Sequence, residues 1–301
     1  MNILVTGATG LIGDQLCRFL YNKHQVSVLT RNIVKAQQQF RSHVTCVDTL
    51  SHIDFNNLDA VINLAGEPIA DKRWSAKQKR AIYESRLDIT EQLVTKIASA
   101  ETPPHTLISG SAVGFYGRQP NDIVIDETCQ HPYQEFSHQL CKQWEDIALR
   151  AQSEQTRVCI LRTGIVLSQH GGALKKMLPA FKFGLGGPLA SGEQMMSWIH
   201  IDDMVHIILY LLKHQELSGI FNVTAPSPVS NLDFTKALGQ VLHRPTVFKM
   251  PEKALRLMFG EMADLLIYGQ AVIPKRVLKS GYHFRFSDIE DAFTSLLVRD
   301  R

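Results

Sequence analysis

The chain has 301 residues, enough for one large or two ordinary domains, and its 45% hydrophobic and 20% charged residues exclude an intrinsically disordered chain. Lys and Arg number 32 against 29 Asp and Glu, and the resulting +3 is too small for nucleic acid or an anionic membrane to be the main partner, since both need a dense basic face. Any anionic ligand must therefore be met by a local site.

In chain order, the first half alternates short β-branched runs with helical patterns. Ile3–Thr6 reads as a strand, Leu11–Tyr21 as a helix, Val26–Thr30 as a strand and Ile33–Phe40 as a helix. Strands follow at Val44–Val47 and Ala60–Leu64, then a helix over Ser75–Ala100 and a strand at Thr106–Ser109. A helix over Glu135–Gln152 and a strand over Val158–Val166 complete the pattern. Such alternation calls for βαβ crossovers, so the expected class is α/β, a doubly wound parallel sheet of the Rossmann fold. After Leu167 the chain turns loop-rich, with Gly171-Gly172, Gly184, Gly186-Gly187-Pro188 and Ser191-Gly192 ahead of Trp198-Ile199-His200-Ile201-Asp202-Asp203. A helix over Asp203–Lys213 and a strand at Ile220–Val223 are expected to return to the sheet. The reading is thus a nucleotide-binding domain over residues 1–166 and about 200–225, with a smaller C-terminal α/β lobe from 167–199 and 226–301.

Compartment follows from what surrounds these elements. The cysteines (Cys17, Cys46, Cys129, Cys141 and Cys159) are odd in number and form neither C-x-x-C nor zinc-type pairs, which fits reducing surroundings. The opening Met1-Asn2-Ile3-Leu4-Val5 lacks the basic start and long apolar run of a signal peptide. Met204–Leu212, the longest greasy stretch, falls far short of the roughly 20 residues that span a bilayer. A cytoplasmic protein with a small-molecule substrate, and neither a nucleic-acid nor a membrane partner, is expected.

Thr6-Gly7-Ala8-Thr9-Gly10-Leu11-Ile12-Gly13 follows the first strand directly and opens the first helix. Gly7 permits a tight turn, Gly10 lets backbone approach a pyrophosphate, and Gly13 lets helix and strand pack closely. The helix N-terminus adds free N–H groups and about half a positive charge. Three glycines alone are a weak signal, but between an apolar strand and an amphipathic helix they point to dinucleotide binding. Gly7, Thr9, Gly10, Leu11, Ile12 and Gly13 are the expected contacts. The second strand ends Leu29-Thr30-Arg31-Asn32, with no acid for a ribose 2′-hydroxyl. Arg31 fits a bidentate clamp on a 2′-phosphate with Thr30 as hydroxyl partner; a solvated strand-end arginine is the plainer alternative. NADP is the expected cofactor.

At this point the sequence resembles the extended short-chain dehydrogenase/reductase group, the nucleotide-sugar epimerase-like proteins, over nearly its whole length. Asn63-Leu64-Ala65-Gly66 resembles the group's N-A-A-G/H signature. Ser109 to Gly117 looks like its S-S-x-x-V-Y-G stretch with one inserted residue, and Trp198 to Asp203 its F-V-H-V-D-D segment. A closer resemblance is to an atypical branch known as epimerase family proteins, NAD-dependent epimerase/dehydratase-like and with their own C-terminal domain. It is carried by Asn63 to Glu67, Ser85-Arg86-Leu87, Gly184 to Pro188 and Pro274-Lys275-Arg276-Val277-Leu278 with Gly281-Tyr282 and Phe284. The resemblance implies cofactor contacts at Thr30, Arg31, Leu64, Ala65, Gly66, Glu67, Arg86 and near Val166.

The usual catalytic pair of that group departs here. Its members carry Y-x-x-x-K on a helix, a Tyr acid/base whose pKa the Lys lowers. Anchored on Trp144-Glu145, the stretch Phe136 to Glu145 puts Ser137 at the Tyr position and Cys141 at the Lys position. His138 and Lys142 keep the spacing but are rotated by about 100° from that face, so they are not a replacement pair. Ser111 remains as a group able to bond a substrate carbonyl or a carboxamide, or as a plain loop serine. Tyr116 is either an acid turned inward or packing, Cys141 a thiol of depressed pKa or an inert buried one. Glu67 either approaches the active site or caps the following segment. His200, Asp202, Asp203 and His206 offer metal-type donors, but Asp202 as a helix N-cap and His200 within a strand account for them, and no metal is expected.

Two functions follow. One is an NADP(H)-dependent oxidoreductase or epimerase acting by hydride exchange on a small polar substrate, favoured by a glycine-rich pocket around Gly184–Gly192. The other is an NADP(H)-binding sensor or regulatory module without turnover, favoured by the loss of Tyr and Lys.

Overall fold

The apolar runs of the first half form five strands, β1 (Asn2–Thr6), β2 (Gln25–Leu29), β3 (Thr45–Val47), β4 (Ala60–Asn63) and β5 (Thr106–Ala112). In this computed structural model, which describes residues 1–298, they join Arg157–Thr163 and Gly219–Val223 in a seven-stranded sheet, parallel throughout. From one edge the order is Gly219–Val223, Arg157–Thr163, β5, β4, β1, β2, β3. The order therefore reverses between β4 and β1, where Thr6 faces Asn63, and it is beyond such a switch point that open α/β sheets place their ligands.

Strand periodicity sends alternate side chains to opposite faces. Ile3 and Val5 of β1 and Ile62 of β4 enter one core, packed beneath α1 (Leu11–Leu20), α2 (Ile33–Phe40) and, later in the chain, α6 (Ile201–Lys213). Leu4 and Val61 enter the other, under α3 (Ala76–Ala98) and α4 (Phe136–Leu149). Both faces are covered, as a doubly wound sheet requires. None of the helices among the described residues is long and apolar enough to cross a membrane.

Three expectations need correction. The strand read over Val158–Val166 is two, broken at Gly164, where an added Cβ would stand 2.5 Å from the Ser197 carbonyl oxygen. Its second part, Ile165–Leu167, pairs instead with Trp198–His200 in a separate two-stranded sheet. Asp202 is not the cap of α6: His200 is, its Nδ1 accepting the Asp202 N–H at 3.0 Å, while the Asp202 carboxylate takes Gln15. The C-terminal lobe is mainly helical, its strands being two-residue pairings such as Ala271–Val272 with Val124–Ile125. Nor is it separate. After α5 (Gly172–Lys182), the helix α7 (Asn231–Leu242) and the last helix, Ile289–Leu297, bury Phe234 and Phe293, ring centroids 5.0 Å apart, in the same core as β1. Between them α8 (Glu252–Phe259) and α9 (Asp264–Ile267) build a small cluster from Leu255, Ala263 and Ile267 with Ala190.

Candidate cofactor crevice and substrate cleft

The loop after β1 has the geometry its glycines foretell. Gly7 sits at φ +69°, and a Cβ there would meet the Leu64 carbonyl oxygen at 2.3 Å. A Cβ on Gly13 would lie 2.4 Å from the Gly7 oxygen, so the first turn of α1 can rest on the strand only without one. At Gly10 the nearest such atom is the Gly7 oxygen at 3.1 Å, so one side of this residue is open. Gly10 also opens α1 without a side-chain cap, leaving the first helical amides for a ligand. These residues fit a pyrophosphate. Leu11 touches the start of α5, where a Cβ on Gly171 would come 3.0 Å from its Cδ1; this brings the loop beside the segment that holds Val166.

At the end of β2, Arg31 is exposed and makes neither hydrogen bond nor ion pair among the described residues. Thr30 is less free than expected, its hydroxyl accepting the Asn32 N–H at 3.2 Å within its own turn. Beyond β4, Leu64 and Ala65 abut Gly7, and Gly66 lies on the Arg86 guanidinium, 2.8 Å from a Cβ built there. Arg86 donates one nitrogen to the Ile82 carbonyl (3.1 Å) and Ser85 (3.4 Å) and faces the Trp144 ring; the rest of its fork has no hydrogen bond among the described residues. Burial holds its pKa below the ordinary arginine value. The Glu67 carboxylate turns to Lys72 at 3.6 Å, while its N–H donates to Ser85.

Under the carboxyl end of β5 lies a buried polar chain. The Ser111 hydroxyl donates to Glu145 Oε1 at 2.6 Å, and Glu145 is clamped by Arg162 through Nε (2.9 Å) and Nη2 (2.8 Å). Arg162 also donates to the Tyr116 hydroxyl (3.0 Å), which donates to Asn222 Oδ1 (2.7 Å). A carboxylate only accepts, so the single Ser111 proton is directed inward and its lone pairs alone are left for a ligand. In this arrangement Ser111 offers a ligand an acceptor rather than the donor expected of it. Tyr116 is fully buried, and burial pushes it up to about 12, so it is packing and not an exposed acid. Cys141 is likewise a buried thiol, pushed up to about 12 by burial with Glu145 adding to the effect, against the Ala112 N–H, Ser111 and Arg86. The depressed pKa considered for it is the reverse of what these surroundings impose.

Ser137, which the resemblance aligns with the Tyr, donates its hydroxyl to Glu135 Oε1 at 2.9 Å. His138 and Lys142 point elsewhere: His138 Nδ1 lies 2.5 Å from the Phe115 carbonyl oxygen, and Lys142 pairs with Asp146 at 2.6 Å. Ser137 and Glu135 line a cleft of about 190 Å³ with Trp74, Phe136 and Arg118, closed from the C-terminal lobe by Glu261 and Asp264. Sequence reasoning missed this cleft. Glu135, two residues ahead of Ser137, was the one local hint. Of the glycines of 184–192, Gly186 and Gly187 serve close packing, Gly187 having the Phe248 carbonyl oxygen 2.1 Å from a built Cβ. Asp203 holds the C-terminal segment, accepting from the Tyr282 hydroxyl (2.8 Å) and the Arg285 and Phe286 amides. No cluster of three or more His, Cys, Asp or Glu placed to hold a metal is found among the described residues.

Comparison with known proteins agrees in extent with this architecture. Residues 3–224 match the model of the NAD dependent epimerase/dehydratase family, and residues 250–296 match a domain of unknown function, DUF1731. The epimerase family protein SDR39U1 homolog, chloroplastic, of Arabidopsis thaliana is 38% identical over 99% of this chain and 87% of its own. Epimerase family protein SDR39U1 of Mus musculus is 36% identical, over 99% and 100%. Among solved structures, human SDR39U1 (isoform 2) with NADPH superposes with a TM-score of 0.90 at 32% identity, covering 98% of this chain and 99% of that one. The UDP-glucuronic acid 4-epimerase of Bacillus cereus, at 16% identity, TM-score 0.77 and 98% of each chain, shares the fold.

Proposed function

The chain belongs to the NAD-dependent epimerase/dehydratase family, and from that premise we propose that it binds NADP(H) and acts as an oxidoreductase or epimerase on a small polar substrate held beside Ser137. The observation that carries the choice of coenzyme is Arg31, an exposed and unpaired guanidinium where an acid would otherwise meet a ribose 2′-hydroxyl. The likeness to human SDR39U1, solved with NADPH, supports it. In this reading the amides of Gly10 to Gly13 hold the pyrophosphate, with Thr9 beside them, while Leu64, Ala65, Gly66 and Arg86 line the path toward the nicotinamide. The bound coenzyme supplies hydride chemistry. The chain's own part is to bind, orient and move a proton. Ser111 accepts a hydrogen bond from an N–H or O–H donor, and Ser137 takes a substrate hydroxyl proton as its own passes to Glu135 Oε1. The five free cysteines fit a reducing compartment.

A second reading, an NADP(H)-binding sensor without turnover, is favoured by the protonated Cys141 at the place of the usual Lys. Titration of NADPH and NADH, followed by a panel of carbonyl and alcohol substrates read by NADPH absorbance, separates these. Tighter NADPH binding with turnover of any member supports the enzyme. Tight NADPH binding with none across the panel supports the sensor, and preference for NADH overturns the Arg31 assignment.

A further inference from the structure

We infer that the cleft beside Ser137 takes a compact, phosphate-free ligand rich in hydroxyl donors, and not a nucleoside diphosphate. This rests on reading the cleft as the substrate site. Three carboxylates, Glu135, Glu261 and Asp264, line it, and Arg118 in the lining and Lys79 behind it are both drawn to them. Arg118 donates Nε to Glu135 (3.0 Å) and Nη2 to Asp264 (3.4 Å), and lies over the rings of Tyr268 at 4.1 Å and Tyr133 at 4.7 Å. Lys79 bonds both oxygens of Glu261 (2.5 and 2.6 Å) and stands 4.9 Å over Phe136. A phosphate entering the cleft would stand among the carboxylates of Glu135, Glu261 and Asp264, with Arg118 the one cation in the lining, so charge repulsion opposes it. Size points the same way, since about 190 Å³ is below the roughly 300–1,000 Å³ of pockets that hold drug-sized ligands.

What the cleft does offer is acceptors and an apolar aromatic wall. Each Glu135 oxygen takes one hydrogen bond, from Ser137 or Arg118, and keeps a second lone pair. Ser137 has no proton to give while it donates to Glu135, so toward this pair the ligand must bring the donors. Trp74 and Phe136, ring centroids 4.7 Å apart, form the wall, and the Trp74 N–H is turned away to the Ile69 carbonyl (2.8 Å). A hydroxylated ring with an apolar C–H face meets both demands.

The test uses the full chain saturated with NADPH, so that a uridine diphosphate cannot occupy the coenzyme crevice. Methyl β-D-glucopyranoside and UDP-glucose are compared by saturation-transfer NMR. The glucoside should receive transfer, at least tenfold weakened in Trp74→Ala, and UDP-glucose should bind at least tenfold more weakly than the glucoside. Glu261→Gln, which releases the Lys79 ammonium, should strengthen UDP-glucose several-fold. Absence of glucoside transfer, transfer that survives Trp74→Ala, or tighter binding of UDP-glucose to the wild type overturns the inference. NADPH affinity, measured first on every variant, keeps the cases apart. Its loss in the wild type sinks the proposed function, whereas its retention with either adverse cleft result sinks only the ligand class.

Discussion

The coenzyme crevice and the cleft beside Ser137 lie along the same sheet edge, yet their polar groups are disposed in opposite ways. In the crevice, among the described residues, helix amides and Arg31 have no protein partner and Arg86 has only part of its fork engaged. In and under the cleft, Ser111, Ser137, Arg118, Glu145 and Arg162 are each bound to another protein group. Free donors bind an anion without first breaking anything. Satisfied ones hold a shape and admit only a ligand that leaves the existing bonds intact. In the proposed function the first region supplies affinity and the second selection.

The contrast breaks most visibly at Glu145. Glu145→Ala leaves Arg162 buried without its counter-ion, and about 3–5 kcal/mol of stability should be lost in denaturant unfolding. A cost near that of an ordinary surface change would mean the chain of bonds is not the tight structure described. Arg31→Ala should do the reverse, leaving unfolding within about 0.5 kcal/mol. NADPH affinity should fall about 10- to 100-fold by fluorescence titration, with NADH unaffected, as the loss of a charge-assisted contact requires.

Alkali sharpens the same comparison. Cys17 and Cys141 are pushed from an ordinary 9.0 up to about 12, chiefly by burial, and Tyr116 from 10.0 up to about 12. Their folded forms keep protons that the unfolded chain releases. Stability is therefore fully present below pH 9 and declines as pH rises toward 12, visible as falling urea midpoints. Over the same range native Cys141 should resist alkylation while the half-exposed Cys46 and Cys129 react, as mass spectrometry of labelled protein will show. The smallest effect belongs to Lys142→Ala. Its pair with Asp146 is an exposed contact between adjacent turns of α4, and both stability within about 0.5 kcal/mol and NADPH binding should be preserved.

How much of this was legible followed from the range of the forces involved. The phosphate loop and the alternation of strands and helices are written in consecutive residues, because a tight turn and a two-residue period are local demands. The break at Gly164 was not, since it answers to Ser197, just ahead of the strand Trp198–His200. The cap of α6 was missed because an imidazole nitrogen two residues ahead did what a carboxylate usually does. The cleft was least readable of all. Arg118 meets Asp264 across 146 positions and Lys79 meets Glu261 across 182, and nothing in either neighbourhood names the other.

Phe234 and Phe293, described above as part of the core beneath β1, have an architectural consequence. The selecting end of the molecule is not a detachable module. A chain stopped near residue 230 would strip the central sheet of two helices that seal it, and a smaller coenzyme binder would not be left behind. Altered ligand preference must therefore be sought by substitution within an intact polypeptide, not by trimming or grafting its tail.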